Sequence, residues 1–288
     1  MNNKLYNAKK SKNDEFYTLY EDIEKELENY ITELKDKIIY CNCDNENSNF
    51  VKYFKNNKNK IGYKKLLYSG IGCGGKFEDN IELLKECDIV ITNPPFSLFR
   101  QFVNLLYKYD KKFIIIGNMN AITYKEIFKL IKDNKLWVGT GFNLSMIYKS
   151  PYDNTLLSNK KYVETKGYNS KNYIKVPAIN WYTNLEHKKR NEDIILYKTY
   201  KGNESDYPKY DNYKAINIDK VKDIPLDYEK IMGVPITFLG KYNPKQFEII
   251  GNMATTKVDN YNFGYPYINK KRKYARILIK NKKVKKWK

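Results

Sequence analysis

The stretch Asp88-Ile-Val-Ile-Thr-Asn-Pro-Pro-Phe-Ser-Leu-Phe-Arg100 decides the fold of this chain. Its apolar run at 89–91 has the length of one buried strand in a parallel sheet. Two prolines follow, and because they lack backbone N–H groups and fix φ, neither a strand nor a helix continues through them. Ser97 is then a predicted helix N-cap, with apolar residues at helical spacing behind it. The stretch predicts strand, turn and helix, with the turn at the carboxyl end of a sheet, where open α/β folds bind ligands.

The turn at 93–96 offers two hydrogen-bond acceptors and one aromatic face. Asn93 supplies a side-chain carbonyl oxygen, and Pro94 keeps its backbone carbonyl without a competing donor. Both acceptors can point at one planar amino group, with Phe96 stacked on the ring that carries it. Two interpretations are open here: a structural turn that only closes a strand, or the amino-group site of a methyltransferase.

Composition and charge favour a folded protein with a polyanionic partner. The chain has 288 residues, enough for one large domain or two modest ones, and 42% of them are hydrophobic. The formal net charge is +20, and residues 269–288 hold eleven basic and no acidic residues. The abundance of lysine, asparagine, isoleucine and tyrosine also fits an AT-rich coding sequence. A basic C-terminal tail of this density nevertheless favours nucleic acid as the partner.

The sequence favours a cytoplasmic protein without a membrane anchor. No apolar run approaches the roughly 20 residues that span a bilayer, and residues 1–15 lack the apolar core of a secretory signal. The four cysteines follow no common zinc spacing, and His187 is the only histidine. We therefore expect buried free thiols, no disulfide and no metal. His187 lies in a charged run, which favours a surface or DNA-facing role over catalysis.

The first half of the chain repeats a pattern of strand followed by helix. A helix with an apolar face at 23, 27, 30, 31 and 34 is predicted to be capped by Asp14 or Thr18. A strand and polar turn at 37–44 lead to a helix capped by Ser48. Gly70, Gly72 and Gly75 match a dinucleotide fingerprint in spacing only, so we interpret them as a flexible loop. Further strands are predicted at 65–68 and 111–117, and further helices at 80–86 and 123–133. Four such repeats predict a mostly parallel α/β sheet with helices on both faces.

After Leu136 the helical pattern gives way to short strands and polar loops. Residues 176–183 predict a strand, and because Pro177 cannot donate to a ladder, we expect that strand at an edge of the sheet. Other strands are predicted at 136–139, 145–148, 236–239, 246–251 and 274–279. We expect the boundary between a larger domain and a smaller C-terminal region, which ends in the basic tail, near residue 195.

Taken in order, these motifs resemble the EcoRI-type adenine-specific DNA methyltransferases, class I enzymes that use S-adenosylmethionine. Asn93-Pro-Pro-Phe96 matches their amino-methyltransferase motif, which also serves enzymes acting on RNA adenine or protein glutamine. The other matching stretches are 12–18, 40–44 with 48–50, 88–102, 115–118 with 120–124, 181–191, 207–224 and 233–239. The resemblance covers nearly the whole chain and implies a Rossmann-like class I methyltransferase sheet. It also implies an S-adenosylmethionine-binding catalytic domain at 1–195 and a target-recognition region with the basic tail at 196–288.

The resemblance also implies the cofactor site. S-adenosylmethionine, which leaves as S-adenosylhomocysteine, is expected to contact nine residues: Asp14, Phe16, Tyr17, Thr18, Cys41, Asn42, Asp44, Asp88 and Asn93. Lys76 stands where the family carries an acid near the cofactor adenine, which leaves Glu78 or Asp79 as weak substitutes. Catalysis is expected of Asn93, Pro94, Pro95 and Phe96, without a metal or a covalent intermediate.

The implied substrate is double-stranded DNA with the target adenine flipped out, because N6 cannot be reached inside a duplex. Phe96 is expected to stack on the base, with Trp181 or Tyr182 as a second face; core packing is the open alternative for those two. Three arginines are expected to contact the DNA, namely Arg190, Arg272 and Arg276, and the last two are the candidates for guanine contacts. The expected activity is site-specific N6 methylation by a monomer, in restriction-modification or phage/host protection. Methylation of RNA adenine or protein glutamine, and non-catalytic DNA binding on a decayed methyltransferase fold, are the alternatives.

Overall fold

The computed structural model describes residues 17–69, 80–150 and 159–285. The described helices are α1 (Tyr20–Leu27), α2 (Ile31–Leu34), α3 (Asn49–Asn56), α4 (Lys58–Ile61), α5 (Ile81–Glu86), α6 (Phe99–Lys108), α7 (Lys125–Lys132) and α8 (Lys160–Thr165). None of these helices is long and apolar enough to cross a membrane. The expectations for Asp14, Phe16, the glycines at 70, 72 and 75, Lys76, Glu78 and Asp79 lie outside the described residues.

Fourteen strands form three sheets within these ranges. The strands are β1 (Tyr17–Thr18), β2 (Ile38–Cys41), β3 (Lys65–Tyr68), β4 (Ile89–Thr92), β5 (Lys112–Asn118), β6 (Trp137–Val138), β7 (Leu144–Lys149), β8 (Tyr173–Thr183), β9 (Ile216–Asn217), β10 (Met232–Pro235), β11 (Phe247–Met253), β12 (Tyr267–Ile268), β13 (Lys271–Arg272) and β14 (Arg276–Asn281). The chain divides into two compact units. The first runs to Ala121 and includes Val138–Glu186, and the second comprises Ile122–Trp137 and the chain from His187 onward. This division differs from the expected boundary after residue 195.

The large sheet is mixed, with strand order β1-β7-β8-β5-β4-β2-β3 and with β6 paired to β8 off this path. Strands β3, β2, β4 and β5 run parallel, whereas β8 is antiparallel to both of its neighbours β5 and β7. The chain passes from β2 outward to β3 and then returns to β4 on the other side of β2. The direction of winding therefore reverses between β2 and β4, and ligands of open α/β sheets bind at the carboxyl ends of such a strand pair.

Helices pack against both faces of this sheet, as the side chains of β5 show, since successive residues of a strand point to opposite faces. Ile114 and Ile116 belong to a buried cluster that includes residues of α1 and α3. On the opposite face, the Phe113 ring lies 5.9 Å from the Tyr107 ring of α6. At Gly117 an added Cβ would lie 2.5 Å from Cε2 of Phe99, so this position keeps α6 close to the sheet.

Strand β8 lies inside the sheet, which corrects the expected edge position. Its register shifts between Leu144↔Ile179 and Met146↔Val176, so that β8 carries one extra residue there. Pro177 lies in this bulge, where a residue without an N–H costs no ladder hydrogen bond. The adjacent Ala178 adopts a positive φ of 59°. The proline thus marks a bulge rather than an edge.

Two of the three expected helix caps are corrected. Ser48 caps α3, where its Oγ accepts a hydrogen bond from the Val51 N–H at 3.2 Å. Thr18 instead pairs with Tyr148 in β1, and Leu19 holds the N-cap position of α1. Leu98 rather than Ser97 holds the N-cap position of α6, because residues 96–98 first form a 3-10 turn.

The second unit contains a four-stranded sheet in the order β11-β14-β10-β9 and the separate hairpin β12-β13. The residues expected as a strand at 236–239 form a 3-10 helix, Ile236–Lys241, which starts directly after Pro235 ends β10. The basic C-terminal segment is folded as far as Lys285, whose N–H donates to the Leu226 carbonyl. Strand β14 is one of the two inner strands of this sheet, so the interpretation of this segment as a tail is corrected.

The positive φ of Ala178 provides a test of the bulge. Glycine adopts this conformation without steric cost, whereas alanine is strained by about 1 kcal/mol or slightly more. We expect Ala178→Gly to raise the free energy of unfolding by up to about 1 kcal/mol in urea denaturation. As a control, Ala121→Gly, at a buried position without positive φ, is expected to lower it. A loss of stability in Ala178→Gly would contradict the bulge geometry.

Candidate active site

Two polar loops meet at the carboxyl ends of β2 and β4, where the winding of the sheet reverses. Thr92, the last residue of β4, donates from its Oγ1 to the Asp44 carboxylate at 2.8 Å. The same hydroxyl oxygen accepts the Cys43 N–H at 3.2 Å. One side chain therefore ties the loop after β2 to the strand that leads directly into Asn93.

Asp44 is a buried carboxylate at this junction. Desolvation raises its pKa to about 6, against the opposing effect of hydrogen bonds from Thr92 and Ser48. The group is therefore mainly ionised at neutral pH and presents a negative charge in a site of low polarity. Ser69 braces the same loop, since its Oγ donates to the Asn42 carbonyl at 2.8 Å.

Two further buried polar groups accompany Asp44. The Thr18 hydroxyl and the Asn42 side-chain amide nitrogen have no hydrogen-bond partner among the described residues. The Thr18 carbonyl accepts from Asn49 Nδ2 at 2.8 Å, which ties β1 to the first turn of α3. Buried polar groups in native proteins are nearly always paired, so the Thr18 hydroxyl and the Asn42 amide nitrogen suit contact with a polar ligand.

The turn after β4 presents Asn93 at the same edge of the sheet. Asn93, Pro94 and Pro95 are buried, whereas Phe96 keeps part of its ring exposed. The Leu98 N–H donates to the Pro95 carbonyl at 2.9 Å, which starts the 3-10 turn before α6. Because the prolines fix φ, the Asn93 side chain and the Pro94 carbonyl lie on a rigid segment.

Asp88 does not belong to this site, which corrects the expected cofactor contact. Its carboxylate accepts the Ile38 N–H at 2.8 Å, at the start of β2. Asp88 also precedes β4, so it lies at the amino edge of the parallel strands, opposite Asn93. Its observed role is to join two strand beginnings.

Cys41 and Tyr17, which were also expected to contact the cofactor, have different surroundings. The Cys41 side chain is fully buried in the core of the first unit, and burial raises the pKa of its thiol well above the usual range. Only its backbone faces the loop at the end of β2. Tyr17 lies in β1 with 41% of its surface exposed. Cys43 and Cys87 are also buried free thiols, as expected, and Cys73 lies outside the described residues.

Trp181 and Tyr182 lie in the core, where their surroundings fit the packing alternative. Both residues are almost fully buried. The Trp181 ring meets Phe50 edge to face at 6.2 Å. The Tyr182 hydroxyl donates to the Asn118 carbonyl at 2.9 Å, and its ring lies 4.9 Å from Phe99. Neither ring presents a face to solvent for a base.

The second unit uses two of the three expected DNA-contacting arginines internally. Arg190 is buried, with its guanidinium 3.6 Å from the centre of the Trp137 ring. Arg276 is buried too; it forms an ion pair with Asp219 at 3.2 Å and donates to Asn217 Oδ1 at 3.0 Å. Arg272 is exposed. The expected DNA contact of Arg190 and the expected guanine contact of Arg276 are therefore corrected to structural roles.

His187 is 7% exposed, so the expected surface role is wrong. The charged residues around it in the sequence suggested exposure, but they do not determine where the imidazole points.

Thr92 and Asn49 were missed as site residues by sequence reasoning. Thr92 ends an apolar run, where a threonine predicts only the end of a strand. Asn49 follows a helix cap and gives no separate signal. Recognising both requires the strand order, since each makes its contact across more than 30 positions of sequence.

The buried Asp44 predicts a specific pH dependence of stability. Its pKa is raised from 3.8 to about 6 on folding, so the folded state binds the proton more tightly than the unfolded state. The contribution of this group to the free energy of unfolding is therefore fully present below pH 3.8 and is lost as the pH rises through 6. When the pH is lowered from 7 to 4, the free energy of unfolding of wild type in urea should rise by about 2 kcal/mol relative to that of Asp44→Asn.

Asp206→Asn, which changes an exposed carboxyl, is the control and should follow wild type across this range. A pH-independent difference between wild type and Asp44→Asn would show that the Asp44 carboxylate is not desolvated.

Comparison with known proteins identifies the family of this chain. The family model described as "Adenine-specific methyltransferase EcoRI" matches residues 4–76 and 71–282. The chain is 44% identical to the type II methyltransferase M.EcoRI of Escherichia coli, over 99% of this chain and 98% of that protein. It is 40% identical to M.MpnI of Mycoplasma pneumoniae, over 96% and 97% of the two chains. It is 38% identical to M.MgeORF184P of Mycoplasma genitalium, over 96% and 98%. The chain therefore belongs to the EcoRI family of adenine-specific DNA methyltransferases.

Proposed function

We propose that this enzyme transfers the methyl group of S-adenosylmethionine to the exocyclic N6 of one adenine within a specific sequence of duplex DNA. Family membership supports the adenine specificity. One observation carries the assignment of the site: the Thr92–Asp44 hydrogen bond, 2.8 Å long, joins the loop after β2 to the strand that leads into Asn93. A cofactor loop and an amino-group turn thereby share one edge of a class I methyltransferase sheet.

The residues after β2 fit S-adenosylmethionine, which supplies an electrophilic methyl group when bound. This cofactor carries positive charge on its ammonium and sulfonium groups, and the buried Asp44 carboxylate offers the matching negative charge. The Thr18 hydroxyl and the Asn42 amide nitrogen are buried donors without partners among the described residues. They suit the oxygens of the cofactor's carboxylate or ribose.

Asn93 and Pro94 prepare the adenine amino group. The N6 lone pair is delocalised into the purine ring, which makes the nitrogen a weak nucleophile. The Asn93 side-chain oxygen and the Pro94 carbonyl accept one N6–H each, which favours a pyramidal nitrogen with a directed lone pair. Because the turn is rigid, the effect is one of positioning and electrostatics.

Phe96 is the stacking partner that we assign to the flipped base. Its ring packs against the core on one side and is only partly buried, so an exposed face remains for a purine. Base extrusion costs a few kcal/mol, and aromatic stacking offsets part of this cost. The buried rings of Trp181 and Tyr182 pack against Phe50 and Phe99 respectively, so we assign neither of them to the base.

The second unit is our candidate for target recognition. It carries the exposed part of the basic C-terminal segment, and positive side chains contact phosphates in protein–DNA complexes. One chain thus holds both the catalytic and the recognition unit, and we propose that it acts as a monomer. Its relatives are named type II methyltransferases, so we assign this enzyme to a restriction-modification system that acts in the cytoplasm.

Removal of the Asn93 acceptor tests this function. We expect Asn93→Ala to lower the rate of labelled methyl transfer to duplex DNA at least 100-fold, the scale measured for lost transition-state contacts. DNA binding should change less than threefold, since the flipped base is the only part of the DNA that Asn93 is proposed to contact. The matched control is Asn104→Ala, at an exposed position on α6, with transfer as in wild type.

Methylation-sensitive sequencing of the DNA then identifies the modified base and the site. Unaffected turnover in Asn93→Ala, or label transferred only to RNA, would overturn the proposal.

A further inference from the structure

The second unit presents a short β-ribbon, here called the basic hairpin, at residues 265–274. Strands β12 and β13 pair through Tyr267↔Arg272 and Ile268↔Lys271. The two residues between them, Asn269 and Lys270, have φ values of 51° and 61°. Two positive φ angles are the requirement of a type I′ turn, which usually places glycine second. Lysine at that position is held in a conformation that it rarely adopts.

A neighbouring segment holds this turn in place. The Asp211 carboxylate accepts the Asn269 N–H at 3.1 Å and the Lys270 N–H at 2.7 Å. Asn212 braces the stem, since its Nδ2 donates to the Tyr265 carbonyl at 3.0 Å. The backbone of the hairpin is therefore fixed even though its tip is exposed.

The two faces of the hairpin differ. Ile268 is buried in the small core of the second unit together with Tyr210 and Leu278. Side chains of directly opposed residues share a face, so Tyr267 and Arg272 lie on the face opposite Ile268. The Arg272 guanidinium lies 4.6 Å from the centre of the Tyr265 ring. One face thus anchors the ribbon through Ile268, although Lys271 on that same face is exposed, and the other face presents an oriented guanidinium.

The hairpin concentrates positive charge, which is offset only in part by the Asp211 carboxylate that holds its turn. Lys270, Lys271, Arg272 and Lys273 are consecutive and exposed, and they form no ion pair with any described residue. Asp211, the nearby acid, is engaged by the turn N–H groups. In contrast, the guanidinium of Arg276 is paired with Asp219 inside the unit. Four unpaired cations on a rigid ribbon complement a polyanion.

A groove of about 1100 Å³ extends this surface from the base of the hairpin. Asp211 and Asn212, which hold the hairpin, also line the groove. Three exposed lysines line it as well: Lys209, Lys214 and Lys230. The acids Asp211 and Glu229 line the groove too, so it is of mixed charge, with lysines only slightly in excess of acids.

We propose that the basic hairpin enters a groove of the target DNA, with Arg272 on a base edge and Lys270, Lys271 and Lys273 on phosphates. A two-stranded ribbon fits the major groove of B-DNA, and arginine makes the commonest specific contact there, to guanine. The inference rests on the proposed function and adds the recognition element to it.

Salt dependence of DNA binding tests the phosphate contacts. The probe is a duplex of about 30 base pairs and mixed sequence, and affinity is measured at several salt concentrations. The logarithm of the binding constant falls linearly with the logarithm of the salt concentration, and each lost phosphate contact makes this slope shallower by about 0.9. We expect the combined Lys270→Ala, Lys271→Ala and Lys273→Ala variant to bind this duplex at least tenfold more weakly, with a salt slope that is shallower by about 2 to 3.

The control removes the same charge elsewhere, through Lys52→Ala, Lys58→Ala and Lys64→Ala, at exposed positions of the first unit. It should keep the wild-type slope. An unchanged slope in the hairpin variant would overturn the proposal.

Two single substitutions separate recognition from stability. Lys270→Gly relieves the positive φ, so we expect a higher urea midpoint together with weaker DNA binding. Arg272→Lys keeps the charge but loses the two-pronged geometry, so methylation sequencing should show at least tenfold less discrimination at one base of the site. Unchanged site selectivity in Arg272→Lys would overturn the assignment of the base contact.

These results are independent of the catalytic test. If wild type transferred no methyl group to DNA but the hairpin variants lost DNA affinity, the proposed catalytic function would be wrong, and the hairpin would still be a DNA-binding element. If transfer required Asn93 but the hairpin variants bound DNA normally, the hairpin proposal alone would fail.

Discussion

The hydrogen bond from Thr92 to Asp44 is the contact on which the rest of the active site depends. It connects the loop after β2 to the end of β4, 48 positions away in sequence, and the two meet only because β2 and β4 are neighbours. The hydroxyl also keeps a charged form of Asp44 in a buried position, where desolvation otherwise favours the neutral acid. Loss of this bond would affect both the charge of one loop and the position of the other.

A second buried carboxylate stabilises the same unit at a distance from the chemistry. Glu26 on α1 accepts hydrogen bonds from the Thr140 N–H at 2.7 Å, the Thr140 hydroxyl at 2.7 Å, the Gly141 N–H at 2.9 Å and the Tyr30 hydroxyl at 3.0 Å. Burial raises its pKa, while these donors oppose the shift. Asp44 and Glu26 therefore use the same physical solution: a charge that has left water is held by several donors. The site carboxylate keeps fewer such partners, which suits a group that must meet a ligand.

The sequence predicted the parts of the fold that depend on local pattern. The apolar runs of β2, β3, β4 and β5, the Ser48 cap and the turn at Asn93 all depend on neighbouring residues, and all were found. Errors arose where tertiary context decides the outcome. Pro177 suggested an edge strand because a bulge cannot be seen in one sequence. Arg190 and Arg276 suggested DNA contacts because basic side chains are usually exposed, yet Trp137 and Asp219 hold them inside the second unit. Thr92 gave no signal at all, since its partner lies on another loop.

The link between the two loops is tested most directly by substitution of Thr92. Thr92→Val keeps the size and β-branched shape of the side chain but removes the hydroxyl, and Thr92→Ser retains the hydroxyl. The measurement is S-adenosylmethionine affinity by calorimetry together with the rate of methyl transfer to DNA. We predict that Thr92→Val loses at least tenfold in both quantities, in line with a lost hydrogen bond to a charged group, and that Thr92→Ser recovers most of each. A Thr92→Val enzyme that is folded and binds cofactor and turns over like wild type would contradict the account.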